Sequence, residues 1–375
     1  MKRINDRCLF VVGCVAMSLG AACDTVCANP GGQWVGLAPM SVARQEVGAA
    51  RIGDQVFVVG GLLAGFSATN VVEAYDIAGN TWATVAPMPA ALDHMGVAAV
   101  GGLLYVIGGY SGDFVARSAM WVYDPSQAMW SPGPPLPAPR GACWAAAHGG
   151  RIYVFGGASA PNPASKTTFI YDPPAGEWSQ GADMPTGREH LNAVSAGDHI
   201  YVIGGRSGIA TNANERYDPA NDSWQTMTPM PTARSAAAVA AFGERIYVAG
   251  GEVPQLFAVN EVYHIPSDSW SCAAPMTIPR HGIAAVTLDD RILTPAGGVV
   301  QGLAPTNAVD SFIPPLPGDI NGDGVLNIAD VLPFVGVLLQ TNMIPAQVAA
   351  SDLNADGERD GRDVQPFLDV LTGGG

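Results

Sequence analysis

Two stretches near the C-terminus place oxygen-bearing side chains at the spacing of a calcium-binding loop. Each has Asp or Asn at positions 1, 3, 5, 9 and 12 and a glycine at position 6. Calcium takes about six to eight oxygen ligands, and the glycine permits the sharp turn that brings them together. With position 7 included, the expected ligands are Asp319, Asn321, Asp323, Val325, Asn327 and Asp330 in loop 1, and Asp352, Asn354, Asp356, Glu358, Asp360 and Asp363 in loop 2. The sequence therefore predicts two calcium ions.

Arginine recurs at one register in the part of the chain before residue 300. Five arginines precede a run of small apolar residues, at the same position to within one residue: Arg44, Arg140, Arg188, Arg234 and Arg280. If the fold brings these guanidinium groups around the opening of one channel, they would bind acidic groups, because a guanidinium can donate two parallel hydrogen bonds to one carboxylate. Pro-Arg and Ala-Arg pairs are also ordinary turn sequences, so a purely structural role is the alternative.

The arginines belong to a longer repeat. A Gly-Gly pair closes a short apolar run in each repeat, and tryptophan recurs with the same period of 46 to 48 residues. The glycine pairs begin at Gly60, Gly108, Gly156, Gly204, Gly250 and Gly297, and the tryptophans are Trp34, Trp82, Trp130, Trp178, Trp224 and Trp270. A period of this size indicates an array of units that bury their faces against one another.

Each repeat has the layout of four short antiparallel strands. In the third, apolar runs at 141–148, 151–155 and 169–172 are separated by Gly, Pro and Asp turns and are followed by Trp178. These residues resemble the Kelch motif over residues 33–313. The resemblance implies a β-propeller with four-stranded blades.

The tryptophan count predicts how the ring closes. Trp34 precedes the first Gly-Gly pair, whereas the sixth repeat ends near Phe312 with no tryptophan after it. The segment 33–40 is therefore expected to supply the outer strand of the last blade, which would remove the exposed sheet edges. The prediction is an all-β propeller of six blades spanning residues 29–313.

Small residues dominate the predicted inner strands, because six strands that converge on one axis leave little volume. Trp144 is the exception, at a register where the other repeats have Gly48, Gly96, Asn192, Ala238 and Ala285. Two interpretations stay open: its indole fills space in the channel, or it stacks against a ligand.

The two calcium loops belong to a second module that follows a Pro-rich linker at 314–318. Similar helical segments with proline at the same place follow each loop, at 331–338 and 364–371. The pair of loop-helix units resembles a type I dockerin over residues 319–373. That resemblance implies a calcium-folded module that binds a cohesin-like or cell-surface protein. Loop positions 10 and 11, which carry recognition residues in that family, are Ile328-Ala329 and Gly361-Arg362 here, so the identity and existence of the cohesin partner stay open.

The first 28 residues have the pattern of a secretory signal peptide. Lys2, Arg3 and Arg7 precede the apolar run 8–22, and 26–28 resembles an A-x-A cleavage site. The run is too short for a membrane span. The prediction is a secreted or cell-surface protein, with a lipoprotein start at Cys23 as the less favoured alternative.

Charge and cysteine content narrow the function. Removing residues 1–28 would leave a formal net charge of (18−3)−(33−2) = −16 at pH 7, which argues against nucleic acid as a partner. Four of the six cysteines precede residue 29, and the other two, Cys143 and Cys272, are expected on distant strands as buried small side chains without a disulfide.

We therefore expect the propeller to bind an acidic peptide or a glycan at its channel mouth. The alternative is an extracellular carbohydrate-active enzyme, because Kelch propellers include galactose oxidase-like and sialic acid mutarotase-like enzymes. Among the candidate acid-base residues, His94, His190 and His281 lie near the arginine register, and Glu189 adjoins His190. No tyrosine matches Cys143 as a copper radical site would require, so the catalytic residues are not predicted.

Overall fold

The computed structural model describes residues 31–159, 164–315, 318, 326–340, 347, 350–354 and 358–372. Six four-stranded antiparallel sheets are followed by a C-terminal segment whose described residues include the short helices Val331–Leu338 and Val364–Thr372. The predicted signal peptide lies outside the described residues, as do the predicted calcium ligands Asp319, Asn321, Asp323, Val325 and Asp356. Within the described part of the chain, no helix is both long and apolar enough to cross a membrane.

Blades 1 to 3 each run in chain order from the inner to the outer strand. Their strands are β2 (Gly48–Ile52), β3 (Gln55–Val59), β4 (Val72–Asp76) and β5 (Thr81–Thr84); β6 (Gly96–Val100), β7 (Leu103–Ile107), β8 (Met120–Asp124) and β9 (Met129–Gly133); and β10 (Trp144–His148), β11 (Arg151–Phe155), β12 (Thr168–Asp172) and β13 (Glu177–Gly181).

Blades 4 and 5 repeat this order, and blade 4 carries an additional small hairpin. Their strands are β14 (Asn192–Ala196), β15 (His199–Ile203), β18 (Asn214–Asp218) and β19 (Ser223–Thr226), with the hairpin β16 (Arg206–Ser207) and β17 (Ile209–Ala210); and β20 (Ala238–Phe242), β21 (Arg245–Ala249), β22 (Asn260–His264) and β23 (Ser269–Ala273).

Blade 6 joins the two ends of the propeller. It consists of β24 (Val286–Thr287), β25 (Ile292–Pro295), β26 (Val309–Ile313) and, as the outer strand, β1 (Gln33–Gly36). Trp34 of β1 is opposite Phe312 of β26, and their ring centroids are 5.2 Å apart. The six blades and the closure by the N-terminal strand predicted from the tryptophan count are confirmed.

The repeated tryptophans join neighbouring blades. Each indole Nε1 donates a hydrogen bond to a backbone carbonyl of the preceding blade, as Trp82 does to Ala38 O at 2.8 Å and Trp34 does to Ala274 O at 2.7 Å. In blades 1 to 5 the tryptophan ring also packs on the tyrosine opposite it in its own blade. One residue per repeat thus stabilises both the sheet and the contact between sheets.

The propeller core lies between the blades. Val56 and Val58 of blade 1, for example, pack in one cluster with Leu293 and Ala296 of blade 6. The inner strands approach so closely that a Cβ on Gly48 would lie 2.1 Å from Val97 Cγ2 of the next blade. This crowding explains why small residues line the axis.

The C-terminal module has two similar halves. Each begins with a 3₁₀ turn, Ile328–Asp330 or Gly361–Asp363, which leads into α1 (Val331–Leu338) or α2 (Val364–Thr372). Asn327 and Asp360 cap the two turns. Phe334 and Phe367 stack at 4.0 Å between centroids and form the centre of a small apolar core.

The cysteine prediction holds for Cys143 and fails for Cys272. Cys143 is free and buried. Cys272 is disulfide-bonded, and its partner lies outside the described residues. The remaining four cysteines of the sequence precede residue 31, and Gly31 forms a bridge with Ala273, the neighbour of Cys272.

Candidate functional site

Four of the five predicted arginines are buried within their own blades. Arg44, Arg188, Arg234 and Arg280 have no solvent exposure. Arg44 is typical, because its Nη2 lies 2.8 Å from Glu73 Oε2 and its Nη1 lies 2.6 Å from Val71 O. Burial lowers the pKa of Arg44 to about 10 even though Glu73 favours its charged form.

The other three buried arginines have equivalent partners. Each pairs with an acid on the third strand of its blade, namely Glu215, Glu261 or Asp310. These guanidinium groups are therefore already paired with acids inside their blades. The four arginines do not form the exposed ring expected from their shared register.

Arg140 differs from the other four. It is half-buried, its guanidinium carbon lies 5.5 Å from the centre of the Phe169 ring, and Nη2 donates to Ser165 Oγ at 3.2 Å. Phe169 stands where the arginine-paired acids stand in other blades. Blade 2 has Leu92 at the position of the arginine and Trp121 at the position of the acid. The presence of an acid on the third strand was the sequence signal that separates the buried arginines from the accessible one.

A closed ring of backbone hydrogen bonds surrounds the channel at this end of the propeller. One residue from each blade donates its N–H to the carbonyl of the equivalent residue in a neighbouring blade, at 2.8 to 3.1 Å. All six have a positive φ between 49° and 56°, and they are Glu46, His94, Ala142, His190, Ala236 and Gly282. This conformation favours glycine, so the three large polar side chains are notable.

The three large side chains of the ring meet at the axis. Glu46 Oε2 lies 3.5 Å from His94 Nε2, and the His94 and His190 rings are 4.8 Å apart. A Cβ on Gly282 would lie 2.4 Å from Glu46 Oε1, so only glycine leaves room for this carboxylate. Both histidines could be selected from the sequence, whereas Glu46 was missed, although alignment of the six repeats places it at the same register.

Neighbouring residues orient both histidines. His94 Nδ1 lies 2.5 Å from Asp93 Oδ1, and His190 Nδ1 is hydrogen-bonded to Glu189 Oε2. Glu189 and His190 are adjacent in the chain, and on a regular strand their side chains would point to opposite faces. They meet because the positive φ of His190 interrupts the alternation of a strand.

Loops after the Gly-Gly pairs add further charged groups. Arg206 contacts Glu189 Oε1 at 2.6 Å, Glu252 Oε1 at 3.0 Å and His190 Nε2 at 3.1 Å. His281 Nδ1 lies 3.4 Å from Glu46 Oε1 and 3.5 Å from Glu252 Oε2. The cluster therefore joins residues from five repeats.

Electrostatics in the cluster favour charged forms. Burial alone would raise the pKa of Glu46, but the nearby His94 and His281 hold it well below its usual range. Burial likewise opposes charge on His94, yet Glu46 and Asp93 raise its pKa. Glu189 has a pKa lowered to about 2, because His190 and Arg206 outweigh its burial.

Trp144 lies just inside the ring. It lines a cavity of about 30 Å³ together with the ring residues and Asn192. The structure places Trp144 at the axis, next to Glu46, His94 and His190, and its stacking against a ligand stays a prediction. Cys143 lines the same cavity and is buried, which raises the pKa of its thiol to about 11.

The face around the channel mouth carries exposed apolar side chains. Loops after Gly-Gly pairs and loops that lead into inner strands share this face, because consecutive strands are antiparallel. Within the described part of the propeller, seven of the eight exposed large apolar residues lie on these loops: Phe66, Phe114, Val115, Ile209, Ile278, Val299 and Val300. The eighth, Met129, is the first residue of β9 and lies at the opposite face. Phe114 reaches the centre, since its ring lies 6.4 Å from His94 and 5.8 Å from Tyr110.

The described part of the calcium loops has a donor set that suits Ca²⁺. Asp330 and Asp363 at position 12 are fully buried. Asp363 Oδ1 accepts from Leu353 N at 2.8 Å, and Oδ2 accepts from Asp360 N at 2.9 Å. Asn327, Asp352, Asn354, Glu358 and Asp360 lie in the same two segments. Buried carboxylates among oxygen ligands are the environment that Ca²⁺ requires.

Comparisons with known proteins agree with both parts of the structure. The family model described as the KLHDC2/KLHL20/DRC7 Kelch-repeats domain matches residues 46–251 and 134–298, and the Dockerin type I domain matches residues 317–366. No curated protein matches the sequence significantly. The solved structure titled "Structure of YjhT" superposes with a TM-score of 0.65 at 18% identity, covering 72% of this chain and 95% of that one, which shows a shared fold.

Type I dockerin domains bind calcium and imply a cohesin partner, and they belong to extracellular proteins of the cellulosome type. The repeat register, the closed six-blade ring and the matched family model lead to one assignment. The chain belongs to the Kelch-repeat family and carries a C-terminal type I dockerin domain.

Proposed function

We propose that this protein is a secreted carbohydrate-binding module, in which the propeller binds a neutral glycan at the channel mouth and the dockerin attaches it to a cohesin. The observation that carries the proposal is the concentration of exposed apolar side chains on one face of the propeller, around a cluster of charged side chains. Large exposed apolar patches mark interaction sites.

The chemistry of the mouth favours a glycan over an acidic peptide. Phe66 and Phe114 are both 50% exposed, with ring centroids 6.5 Å apart, and can stack on the apolar face of a sugar ring. Glu189 and Glu252 can accept hydrogen bonds from sugar hydroxyls. Four arginines that would have attracted an acidic peptide are buried, and Arg206 is already paired with both carboxylates.

A glycan array probed with the full chain in Ca²⁺ tests this function. We expect neutral oligosaccharides to bind, and isothermal titration calorimetry with the selected glycan should show at least a tenfold loss for Phe114→Ala. Met129→Ala is the matched control, because it removes an exposed apolar side chain from the opposite face. A glycan that binds both variants equally, or an array that selects only acidic ligands, would contradict the proposal.

The dockerin would bind its cohesin through the exposed faces of its helices. Ile328 and Leu332 are 77% and 81% exposed and lie four residues apart in the chain, and grouped exposed apolar side chains mark interaction sites. Leu332→Asp should abolish calcium-dependent capture by a panel of type I cohesin domains. Thr372→Asp, exposed at the end of the second helix, serves as a control for charge alone. Capture that persists in chelator would refute this arrangement.

Two further parts of the proposal concern calcium and export. We expect two Ca²⁺ per chain, one in each loop, by titration calorimetry.

The Cys272 disulfide supports export, since structural disulfides persist in oxidising compartments. Because the remaining four cysteines lie at 8–27, we propose that signal cleavage precedes the bonded cysteine and therefore falls before the end of the predicted 1–28 signal peptide. Peptide mapping without reductant and N-terminal sequencing of the exported protein test this point.

Catalysis on a carbohydrate is the second candidate function. It is favoured by one observation, the hydrogen-bonded pair of Glu189 and His190 beside Arg206 at the mouth. A carboxylate that orients a histidine is a common arrangement for general acid-base chemistry. Incubating the full chain with the array-selected glycan tests it: product formation that is lost in His190→Gln would establish an enzyme, and an unchanged glycan would leave binding as the function.

A further inference from the structure

Three potential metal ligands converge on the propeller axis, far along the chain from the calcium loops. One ligand atom each from Glu46, His94 and His190 lies within 4.8 Å of the other two. These residues come from three different blades and are held by the closed backbone ring, which fixes their Cα positions. Three side chains that meet at an axis in a left-handed backbone conformation are not explained by the needs of packing, since Ala142, Ala236 and Gly282 serve at the equivalent positions.

Hydrogen bonds prepare the histidines for coordination. Asp93 and Glu189 each accept from the Nδ1 of the following histidine, which leaves Nε2 as the nitrogen for coordination; on His190 that atom now contacts Arg206 Nη2. A carboxylate behind a coordinating histidine is the usual arrangement in metal sites, because it fixes the tautomer and the ring orientation. The same arrangement occurs twice here, on both histidines that meet at the axis.

The charge of the cluster also suits a cation. Glu46, Asp93, Glu189 and Glu252 contribute four negative charges and Arg206 contributes one positive charge, and the remaining positive charge can come from protonated imidazoles or from a bound cation that replaces their protons. Asp93 is fully buried, and Glu46 and Glu252 are nearly so. Buried charges need compensation by pairing or by a metal.

Space for an ion is present. The cavity lined by Glu46, His94 and His190 has a volume of about 30 Å³, and a water-sized guest needs about 10–15 Å³. Ligand atoms on a tetrahedral ion at about 2.1 Å lie roughly 3.4 Å apart. The His94 Nε2 to Glu46 Oε2 distance of 3.5 Å already fits, so the His190 side chain must make most of the adjustment.

Metal binding would require Arg206 to move away from His190. Its Nη2 lies 3.1 Å from His190 Nε2, where an ion would compete with it. The guanidinium keeps its ion pairs with Glu189 and Glu252 when that one contact is lost. Because Arg206 lies on a two-residue strand of a surface hairpin, a small displacement suffices.

We propose that Glu46, His94 and His190 bind one divalent transition-metal ion of the Zn²⁺ class at the channel mouth. Two imidazoles and one carboxylate suit Zn²⁺ and its neighbours, whereas Ca²⁺ requires oxygen ligands. Three protein ligands leave a coordination position open toward the cavity. This site does not depend on glycan binding or on the dockerin.

Zinc content measured on the full chain in excess Ca²⁺ tests the proposal. The protein is first stripped with chelator, then dialysed against Zn²⁺ and Ca²⁺ and analysed by elemental mass spectrometry. We expect wild type to retain one more zinc per chain than His94→Gln or His190→Gln. His148→Gln, at the other end of an inner strand, is the matched control and should equal wild type. Equal zinc in wild type and the two ring variants would overturn the proposal.

A measurement on wild type alone guards against variants that fail to fold. The X-ray absorption spectrum of the zinc-loaded full chain should show two imidazole ligands. Zinc uptake should also release protons, because coordination requires neutral imidazoles. A first shell of oxygen atoms without imidazole would overturn the proposal even if both variants were unfolded.

Discussion

The buried arginines make a stability prediction that contrasts two residues of the same register. Arg234 is fully buried, pairs with Glu261 and donates to Val248 O at 2.7 Å. Arg234→Met would leave the buried Glu261 charge without its cation. Breaking such a pair costs about 3–5 kcal/mol, which corresponds to a fall in Tm of roughly 6–15 °C in a domain of this size. Arg140→Met removes only a half-exposed side chain over Phe169 and should cost about 1 kcal/mol or less.

A double variant tests whether the unpaired charge is the cause. Blade 2 already has the apolar pair Leu92 and Trp121 at these positions, which shows that the fold does not require the ion pair. Arg234→Leu with Glu261→Met should therefore be more stable than Arg234→Met alone, because no buried charge remains. Urea denaturation in Ca²⁺, followed by tryptophan fluorescence, supplies the free energies of unfolding. Arg234→Met within about 1 kcal/mol of Arg140→Met would refute this reasoning, because the two were expected to differ by several.

Three further predictions concern closure, calcium and pH. Trp34→Ala removes a ring that packs on Phe312 and donates a hydrogen bond to Ala274 O, so the free energy of unfolding measured in urea should fall by about 3–5 kcal/mol. A fall of less than about 1 kcal/mol would argue against closure by this strand. Chelator should remove the helical circular dichroism of the C-terminal module while the propeller transition is unchanged, and retained helices would show that folding is not coupled to metal. Burial and nearby Arg245 lower the pKa of His264 to about 4, below its unfolded value near 6.5, so its contribution to stability is lost as pH falls from 6.5 to 4. His264→Gln should reduce the acid destabilisation by about 1–2 kcal/mol after allowance for partial exposure, and parallel pH profiles would contradict this assignment.

The fold was largely predictable because its determinants are periodic. Trp34 identified the closing strand. The sixth repeat ends without its own tryptophan, so the tryptophan of the last blade had to come from the N-terminal segment. The matched helical segments after the two calcium loops were also predictable, and Phe334 and Phe367, which stack in the structure, lie at the same position in each.

The site was less predictable because it depends on how repeats meet. The shared register of the arginines indicated a common position but not a direction, and their side chains turn into the blade toward acids such as Glu73. Glu46, His94 and His190 are 48 and 96 residues apart, and only the closed ring brings them together. Cys272 was assigned as unpaired because its bonding depends on residues outside the repeats.

The central claim is that the channel mouth is the ligand-binding face of the propeller. Hydrogen-deuterium exchange of the full chain with and without the array-selected glycan tests it most directly. The account predicts slower exchange in the loops after Gly-Gly, at 62–70 and 110–117, with no change in the turns of the opposite face near Met129. Protection confined to the opposite face or to the dockerin would contradict it.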